Sequence, residues 1–284
     1  MKTKTGIIIL AVLFAVSEAI LIYPFFANIH NNRLAQQLIV EYEENISDID
    51  EEELESLLAE AVSYNENLVT ASGNALYEVL GSDSLYESML DVAGDGVMGY
   101  ISIPKISLSL PIYHYSDDEV LEKGIGHIET SSLPVGGAST HCILTGHRGL
   151  PGSRLFTDLD QLEEGDVFFL KILGETFAYE VISIETVEPT EVDSLGIRQG
   201  EDLCTLVTCT PYGINSHRLL VTGSRIEYDS SVEAAAYRAA KSGAFSADYI
   251  LVYAAALEAA AFAVILILLL KKKGKTARKD RKSV

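Results

Sequence analysis

The stretch Thr205-Leu206-Val207-Thr208-Cys209, followed closely by Pro211-Tyr212-Gly213, has the composition of a buried β-strand that ends in a turn. Arg218 lies nine positions after Cys209 and begins the apolar run Leu219-Leu220-Val221. The residues between them are few enough to join two antiparallel strands. The sequence therefore predicts a hairpin in which Cys209 and Arg218 lie side by side.

A second strand-like run, Cys142-Ile143-Leu144-Thr145, ends just before His147 and leads into a turn rich in Gly and Pro. Three side chains of complementary chemistry, those of His147, Cys209 and Arg218, are thus predicted at strand ends. A thiolate is the reactive form of cysteine, and a neighbouring imidazole can activate it or protonate a leaving amine. An arginine can donate to the oxyanion that forms when the thiolate attacks a carbonyl. The pattern indicates acyl transfer through a thioester.

Other readings of these residues exist. A cysteine in a strand is commonly a buried small hydrophobe, and single His or Arg residues commonly lie on the surface. A zinc site is disfavoured because the chain has no Cys-x-x-Cys pair or dense His cluster, and strand alternation divides the possible ligands. An inert scaffold is disfavoured by the presence of all three reactive residue types. The possible zinc ligands are His141, Cys142, His147, Cys204 and Cys209.

Several segments resemble the sortases, and most closely the class C, pilin-polymerising group. The active-site signature appears as Thr-Gly-His-Arg-Gly around His147, Thr-Leu-Val-Thr-Cys before Cys209, and the segment Asn215 to Leu220 around Arg218. The resemblance extends from about Gly96 to Tyr228. It implies a mainly β fold: an eight-stranded sortase-type β-barrel with N-terminal helices and a transmembrane helix at each end. Further matching segments are 96–106, 110–114, 124–127, 132–137 and 155–159.

The resemblance also implies roles. Cys209 would be the nucleophile, His147 the general acid/base, and Arg218 the group that stabilises the intermediate and the bound signal. The family cuts an LPXTG-like sorting signal between Thr and Gly and passes the acyl group to an amine. In class C enzymes that amine is usually a lysine of another pilin subunit. The alternatives are anchoring of surface proteins to a peptidoglycan precursor, or a thiol peptidase that hydrolyses the intermediate. The chemistry requires no metal or organic cofactor.

Both ends of the chain carry apolar segments. Residues 6–27 are almost wholly apolar and follow Lys2 and Lys4, and residues 249–270 form a second apolar stretch. Eight basic residues in the tail 271–284 predict a cytoplasmic C-terminus. We expect a plasma-membrane protein with an extracellular catalytic domain and both termini in the cytoplasm. A cleaved signal peptide is the alternative for the first segment.

The charge is distributed unevenly. The part of the chain between the two apolar segments holds 11 of the 21 Lys and Arg residues and 38 of the 41 Asp and Glu residues, a formal charge of about −27. Such a surface repels nucleic acid and suits an exposed ectodomain.

The sequence suggests six parts: an anchor (1–30), a helical region with a lid segment (31–95), the barrel (96–228), a linker (229–248), a second transmembrane helix (249–270) and a basic tail (271–284). Residues 33–61 predict one or two amphipathic helices packed on the barrel, with Ser47 or Asp48 as an N-cap.

The segment 65–95 departs from the family pattern. The Asp-Pro-aromatic anchor of class C lids is absent, because no proline lies between Pro24 and Pro104. Asp83, Tyr77 or Tyr86 could occupy the cleft instead, but a surface loop with short helices is the favoured interpretation.

Two further cysteines have opposite strand parity to the candidate residues, Cys142 to His147 and Cys204 to Cys209. Both are expected to point away from the site. They are interpreted as free thiols, with one disulfide as the alternative.

Overall fold

The computed structural model describes residues 2–70, 83–191, 193–243 and 256–264 of the chain. Asn28–Gly243 form one compact unit, and Met1–Ala27 with Ala244–Val284 form a second. The candidate residues all belong to the first unit.

Helix α1 (Lys2–Ser47) contains the first apolar segment. Within the described residues, Ile8–Ser47 is the one helix long and apolar enough to cross a membrane. Of the second predicted span, residues 256–264 are helical, and the rest of 249–270 lies outside the described residues, as does the basic tail. A second transmembrane helix therefore stays a prediction.

The described part of residues 97–226 contains a closed barrel of eight strands, in the order β1-β2-β3-β4-β7-β8-β6-β5. The pairs β2/β3 and β4/β7 are parallel, and the other neighbours are antiparallel. Closure leaves no open sheet edge. The predicted eight-stranded barrel is confirmed. The strands are β1 (Val97–Ile103), β2 (Leu108–Tyr113), β3 (Ile125–His127), β4 (Thr140–Thr145), β5 (Val167–Ile172), β6 (Glu175–Val187), β7 (Asp202–Thr210) and β8 (His217–Ile226).

Helix α1 and helix α2 (Glu51–Thr70) pack on the barrel, as expected from their apolar positions. Tyr42 of α1 is buried, donates a hydrogen bond to the Met98 carbonyl at 3.2 Å, and accepts one from the Leu173 amide at 2.8 Å. Asn65 of α2 bonds both backbone groups of Leu133, donating at 3.1 Å and accepting at 2.7 Å. These contacts tie the N-terminal helices to the barrel through backbone groups that would otherwise be buried unpaired.

The N-cap of α2 differs from the expectation. Asp50, and not Ser47 or Asp48, accepts a hydrogen bond from the Glu53 amide at 2.9 Å. Helix α1 continues through Ser47, whose hydroxyl bonds the Glu44 carbonyl instead. The cap is therefore set by where α1 ends.

The sequence predicts a linker over residues 229–248, but the structure has helix α5 (Ser230–Gly243) in this segment. Asp229 caps this helix by accepting from the Ser231 amide at 2.8 Å, and Glu233 pairs with Lys171 of β5 at 3.0 Å. Tyr237 bonds Ser102 of β1. The cap and the alanine-rich stretch after it were the sequence signal for a helix. Two short helices complete the described part, α3 (Asp83–Ser88) and α4 (Asp118–Leu121).

Candidate active site

Three neighbouring strands reach the same rim of the barrel. β4 and β7 run parallel, so both end at this rim, and β8 is antiparallel to β7, so it begins there. Cys209 lies near the end of β7, Arg218 near the start of β8, and His147 two residues after β4. The structure therefore brings all three predicted residues to one rim.

Cys209 and Arg218 are direct partners across the β7/β8 pair. Directly opposed residues of an antiparallel pair place their side chains on the same face of the sheet. The predicted hairpin is thus confirmed. Cys209 is half-buried, which leaves its thiol partly accessible. The Arg218 guanidinium donates from Nη1 to the carbonyls of His217 at 3.2 Å and Asn215 at 3.5 Å.

The backbone before His147 is held against β7. The Gly146 amide donates to the Val207 carbonyl at 3.1 Å, and the buried Thr208 hydroxyl donates to the Gly146 carbonyl at 2.7 Å. A Cβ at Gly146 would lie 2.7 Å from the Ile125 side chain and 2.9 Å from that of Phe156, so glycine lets the backbone approach these two side chains. These bonds continue the β4/β7 register and place half-buried His147 beside the end of β7 that carries Cys209.

The imidazole of His147 and the thiol of Cys209 make no hydrogen bond to each other in the described structure. Catalytic hydrogen bonds are often long without substrate and shorten in the reacting complex. The arrangement supplies a partly accessible thiol, an imidazole on the next strand end and a permanent cation opposite the thiol.

Cys142 and Cys204 lie apart from this site. They face each other across β4 and β7, belong to the buried core, and are free thiols. Burial raises the pKa of Cys204 well above its ordinary value, so this cysteine stays a neutral thiol. The parity argument, which separated Cys142 from His147 and Cys204 from Cys209, agrees with the burial of both in the core.

A series of hydrogen bonds between polar side chains crosses β4, β7 and β8. Sequence reasoning missed it. His141 of β4 donates from Nδ1 to the Gly196 carbonyl at 3.0 Å and accepts at Nε2 from the Thr205 hydroxyl of β7 at 2.7 Å. Thr205 in turn bonds Thr222 of β8 at 2.9 Å. Alternation along β7 puts Thr205 on the same face as Cys209. Gly196 belongs to the connection between β6 and β7, so His141 fastens that connection over this face.

His141, the histidine in this series of hydrogen bonds, is neutral. Burial lowers the pKa of His141 below its ordinary value, the Gly196 bond opposes this, and the charges of Arg198 and Glu201 act in opposite directions. A single histidine in a strand gave no signal for such a role.

The segment before the barrel is fastened by Tyr86 of α3. Its buried hydroxyl bonds Nδ1 of His127 at 2.7 Å, and its ring makes edge contacts with His114 and Tyr115. Tyr86 thus inserts among the ends of β2 and β3, whereas a surface loop was the favoured expectation. Asp83 begins α3, and Tyr77 lies outside the described residues.

No group of three or more His, Cys, Asp or Glu side chains in the described ranges is arranged to hold a metal ion. The five residues considered as zinc ligands divide between the core and the rim.

Comparisons with known proteins agree with this geometry. A family model for the sortase domain matches residues 101–226. Sortase C1 of Streptococcus agalactiae is 45% identical, with a TM-score of 0.63 over 68% of this chain and 100% of that structure. The chain belongs to the sortase family. Sortases are cysteine transpeptidases.

Other sortases show how far the likeness extends. Sortase C of Streptococcus pneumoniae, whose structure is described as informative on pilin substrate specificity, is 40% identical with a TM-score of 0.60, over 68% of this chain and 97% of that structure. Sortase D of Bacillus subtilis is 30% identical over 45% of this chain. This sortase chain spans 63% of that curated relative's length. The structural neighbours named here are class C sortases.

Proposed function

We propose that this sortase is a class C transpeptidase that cuts an LPXTG-like sorting signal and joins the acyl group to an amine. The observation that carries the proposal is the direct pairing of Cys209 with Arg218 at the rim where the backbone before His147 is bonded to β7. A nucleophile, a cation and an imidazole on three adjacent strand ends are the groups that acyl transfer needs.

Cys209 gives its proton to His147 and attacks the threonine carbonyl carbon of the signal. Arg218 donates to the oxyanion of the tetrahedral intermediate, and its charge cannot be lost by deprotonation. The bond to the glycine nitrogen then breaks, and His147 returns the proton to the leaving amine. The product is a thioester on Cys209. An incoming amine loses its proton to His147 and attacks the thioester, the carbon–sulfur bond breaks, and the departing Cys209 thiolate takes the proton back from His147.

A lysine of another pilin subunit is the acceptor we favour. The class C structural neighbours, at 40 to 45% identity, support pilin polymerisation over the anchoring reaction. A peptidoglycan-precursor amine and water are the alternatives, and they share the same thioester.

The first experiment follows the thioester directly. The full chain in detergent is incubated with an LPXTG peptide, and Cys209 is monitored by intact mass and peptide mapping. We expect an acyl adduct that disappears when a pilin lysine peptide is added, with an amide as product. Resolution only by a peptidoglycan-stem amine would assign the anchoring role, and resolution only by water would assign a peptidase.

Two variants test the roles. Cys209→Ala is expected to fold and form no adduct, and Arg218→Ala is expected to lose about 10²-fold or more in acylation rate. An adduct that persists in Cys209→Ala would overturn the assignment of the nucleophile.

Membrane anchoring is part of the proposal. The apolar segment of α1 supports a span, and Phe262 of the helical residues 256–264 stacks on Phe14 with ring centroids 3.9 Å apart. We place both termini in the cytoplasm and the barrel outside. Reporter fusions at each terminus test this, and an extracellular C-terminus would contradict a second span.

A further inference from the structure

Arg148 is the residue after His147, and its guanidinium is buried although it lies on a loop. Its side chain is 8% exposed. Nη1 donates to the Thr210 hydroxyl at 3.1 Å, and Nη2 pairs with the Asp160 carboxylate. Its buried Nε has no partner among the described residues. A buried charge is retained only where its contacts offset desolvation.

The position of these contacts points to their role. Thr210 is the residue after Cys209, just as Arg148 is the residue after His147. One side chain therefore connects the residue after the base to the side chain of the residue after the nucleophile. Asp160 lies on the short 3-10 turn Leu159–Gln161, so the connection also reaches a third segment. The planar guanidinium can donate in two directions at once, which an ammonium group cannot match in geometry.

We propose that Arg148 is a positioning residue for acyl transfer. It sets the separation of His147 and Cys209 by bonding Thr210, and Asp160 holds its guanidinium in that orientation. This rests on the proposed function. The positive charge of Arg148 also acts on Cys209 and His147, because it favours the thiolate and disfavours the imidazolium. Asp160 offsets part of that charge.

Other charges at this rim act on the same pair. Arg218 faces Cys209 from β8, and His217 of β8 pairs with Glu188 at 3.2 Å. These groups remain unchanged in variants of Arg148 and Asp160, so a difference between variants reports on the connection alone.

The test uses the full chain in detergent and two measurements. The first is the rate of Cys209 acylation by an LPXTG peptide as a function of peptide concentration, and the second is alkylation of Cys209 by iodoacetamide between pH 5 and 9. Alkylation needs no substrate. Peptide mapping separates Cys209 from the buried Cys142 and Cys204.

Arg148→Gln is expected to slow acylation at saturating peptide at least tenfold, with the half-saturating concentration changed less than twofold. It should also move the alkylation profile to higher pH, and Asp160→Asn should move it to lower pH. Arg148→Lys keeps the positive charge but lacks the planar guanidinium that donates in two directions. This variant should therefore keep the wild-type alkylation profile and acylate slowly. Arg154→Gln is the matched control, since Arg154 pairs with Asp158 at 2.5 Å on a more exposed part of the same loop; it should match the wild type within twofold.

Acylation of Arg148→Gln at the wild-type rate, or an unchanged alkylation profile, would overturn the proposal. Should Arg148→Gln fail to fold, Thr210→Val removes the same bond with little change in shape; a loss of at least threefold in acylation supports the proposal, and none refutes it. If the wild type forms no acyl adduct but the alkylation profile shifts in the variants, the proposed function fails and the placement of Arg148 stands.

Discussion

Replacing Tyr86 by phenylalanine tests how the segment before the barrel is fastened to it. The ring and its contacts with His114 and Tyr115 remain, so no cavity forms. What disappears is the hydroxyl that donates to His127 Nδ1 at 2.7 Å and accepts from the Tyr115 amide at 3.4 Å. His127 is fully buried, and its Nε2 already donates to the Ser132 carbonyl at 2.9 Å. The substitution therefore leaves a buried acceptor unpaired.

An unpaired buried acceptor costs about 1–3 kcal/mol. A domain of this size loses about 2–4 °C in melting temperature per kcal/mol, so we expect Tyr86→Phe to melt about 4–8 °C below the wild type for a mid-range cost. Near-UV circular dichroism of the full chain in detergent gives the melting temperature. Tyr228→Phe is the control, because its hydroxyl bonds Glu233 at 2.7 Å on the surface and should change stability by less than about 0.5 kcal/mol. Equal melting temperatures for the two variants would refute the reasoning.

Three further predictions concern the helices, the site face and the rim. Asn65→Ala should lower the free energy of unfolding by about 2–4 kcal/mol, measured by urea titration, because both backbone groups of Leu133 lose their partner; a loss below about 0.5 kcal/mol would contradict this. His141 has a lowered pKa when folded, so the unfolded chain binds its proton first: its stabilisation is complete above the unfolded pKa of about 6.5 and falls as the pH drops below that value. The difference in melting temperature between wild type and His141→Gln should therefore shrink between pH 7.5 and 5.5, and a constant difference would count against it. Thr208→Val removes the bond to the Gly146 carbonyl and should slow acylation several-fold without weakening peptide binding; unchanged acylation would show that this bond does not hold the loop.

The strands were the most predictable part of the fold. The strand-like run 142–145 falls within β4, the run 205–209 falls within β7, and the run 219–221 falls within β8. Short apolar runs closed by Gly and Pro turns carry a local signal, because alternation and turn chemistry act between near neighbours.

The helical parts were less predictable. The sequence predicts a linker where the structure has helix α5, and it predicts the N-cap of α2 at Ser47 or Asp48, three or two residues before the observed Asp50. A helix end is decided by which backbone groups lack partners, and this depends on where the preceding helix stops.

The candidate site also has residues that could be predicted from the sequence and residues that could not. Cys209 and Arg218 could be paired from sequence because one short loop joins their strands, and His147 could be predicted at the end of a second strand-like run. Arg148 and His141 could not be found, since their partners Thr210, Asp160, Thr205 and Gly196 are 12 to 64 residues away along the chain. No local pattern records such contacts.

The sequence by itself thus determined the mainly β character of residues 97–226, the apolar segment of α1, and the pairing of Cys209 with Arg218. These follow from interactions between residues that are close along the chain. Only the tertiary structure decided that β4 lies parallel to β7, so that His147 and Cys209 lie at the same rim, and that Tyr86 is buried against His127. Closing the barrel brings together strands that are distant along the chain. Polar groups that become buried in this way must find hydrogen-bond partners among their new neighbours.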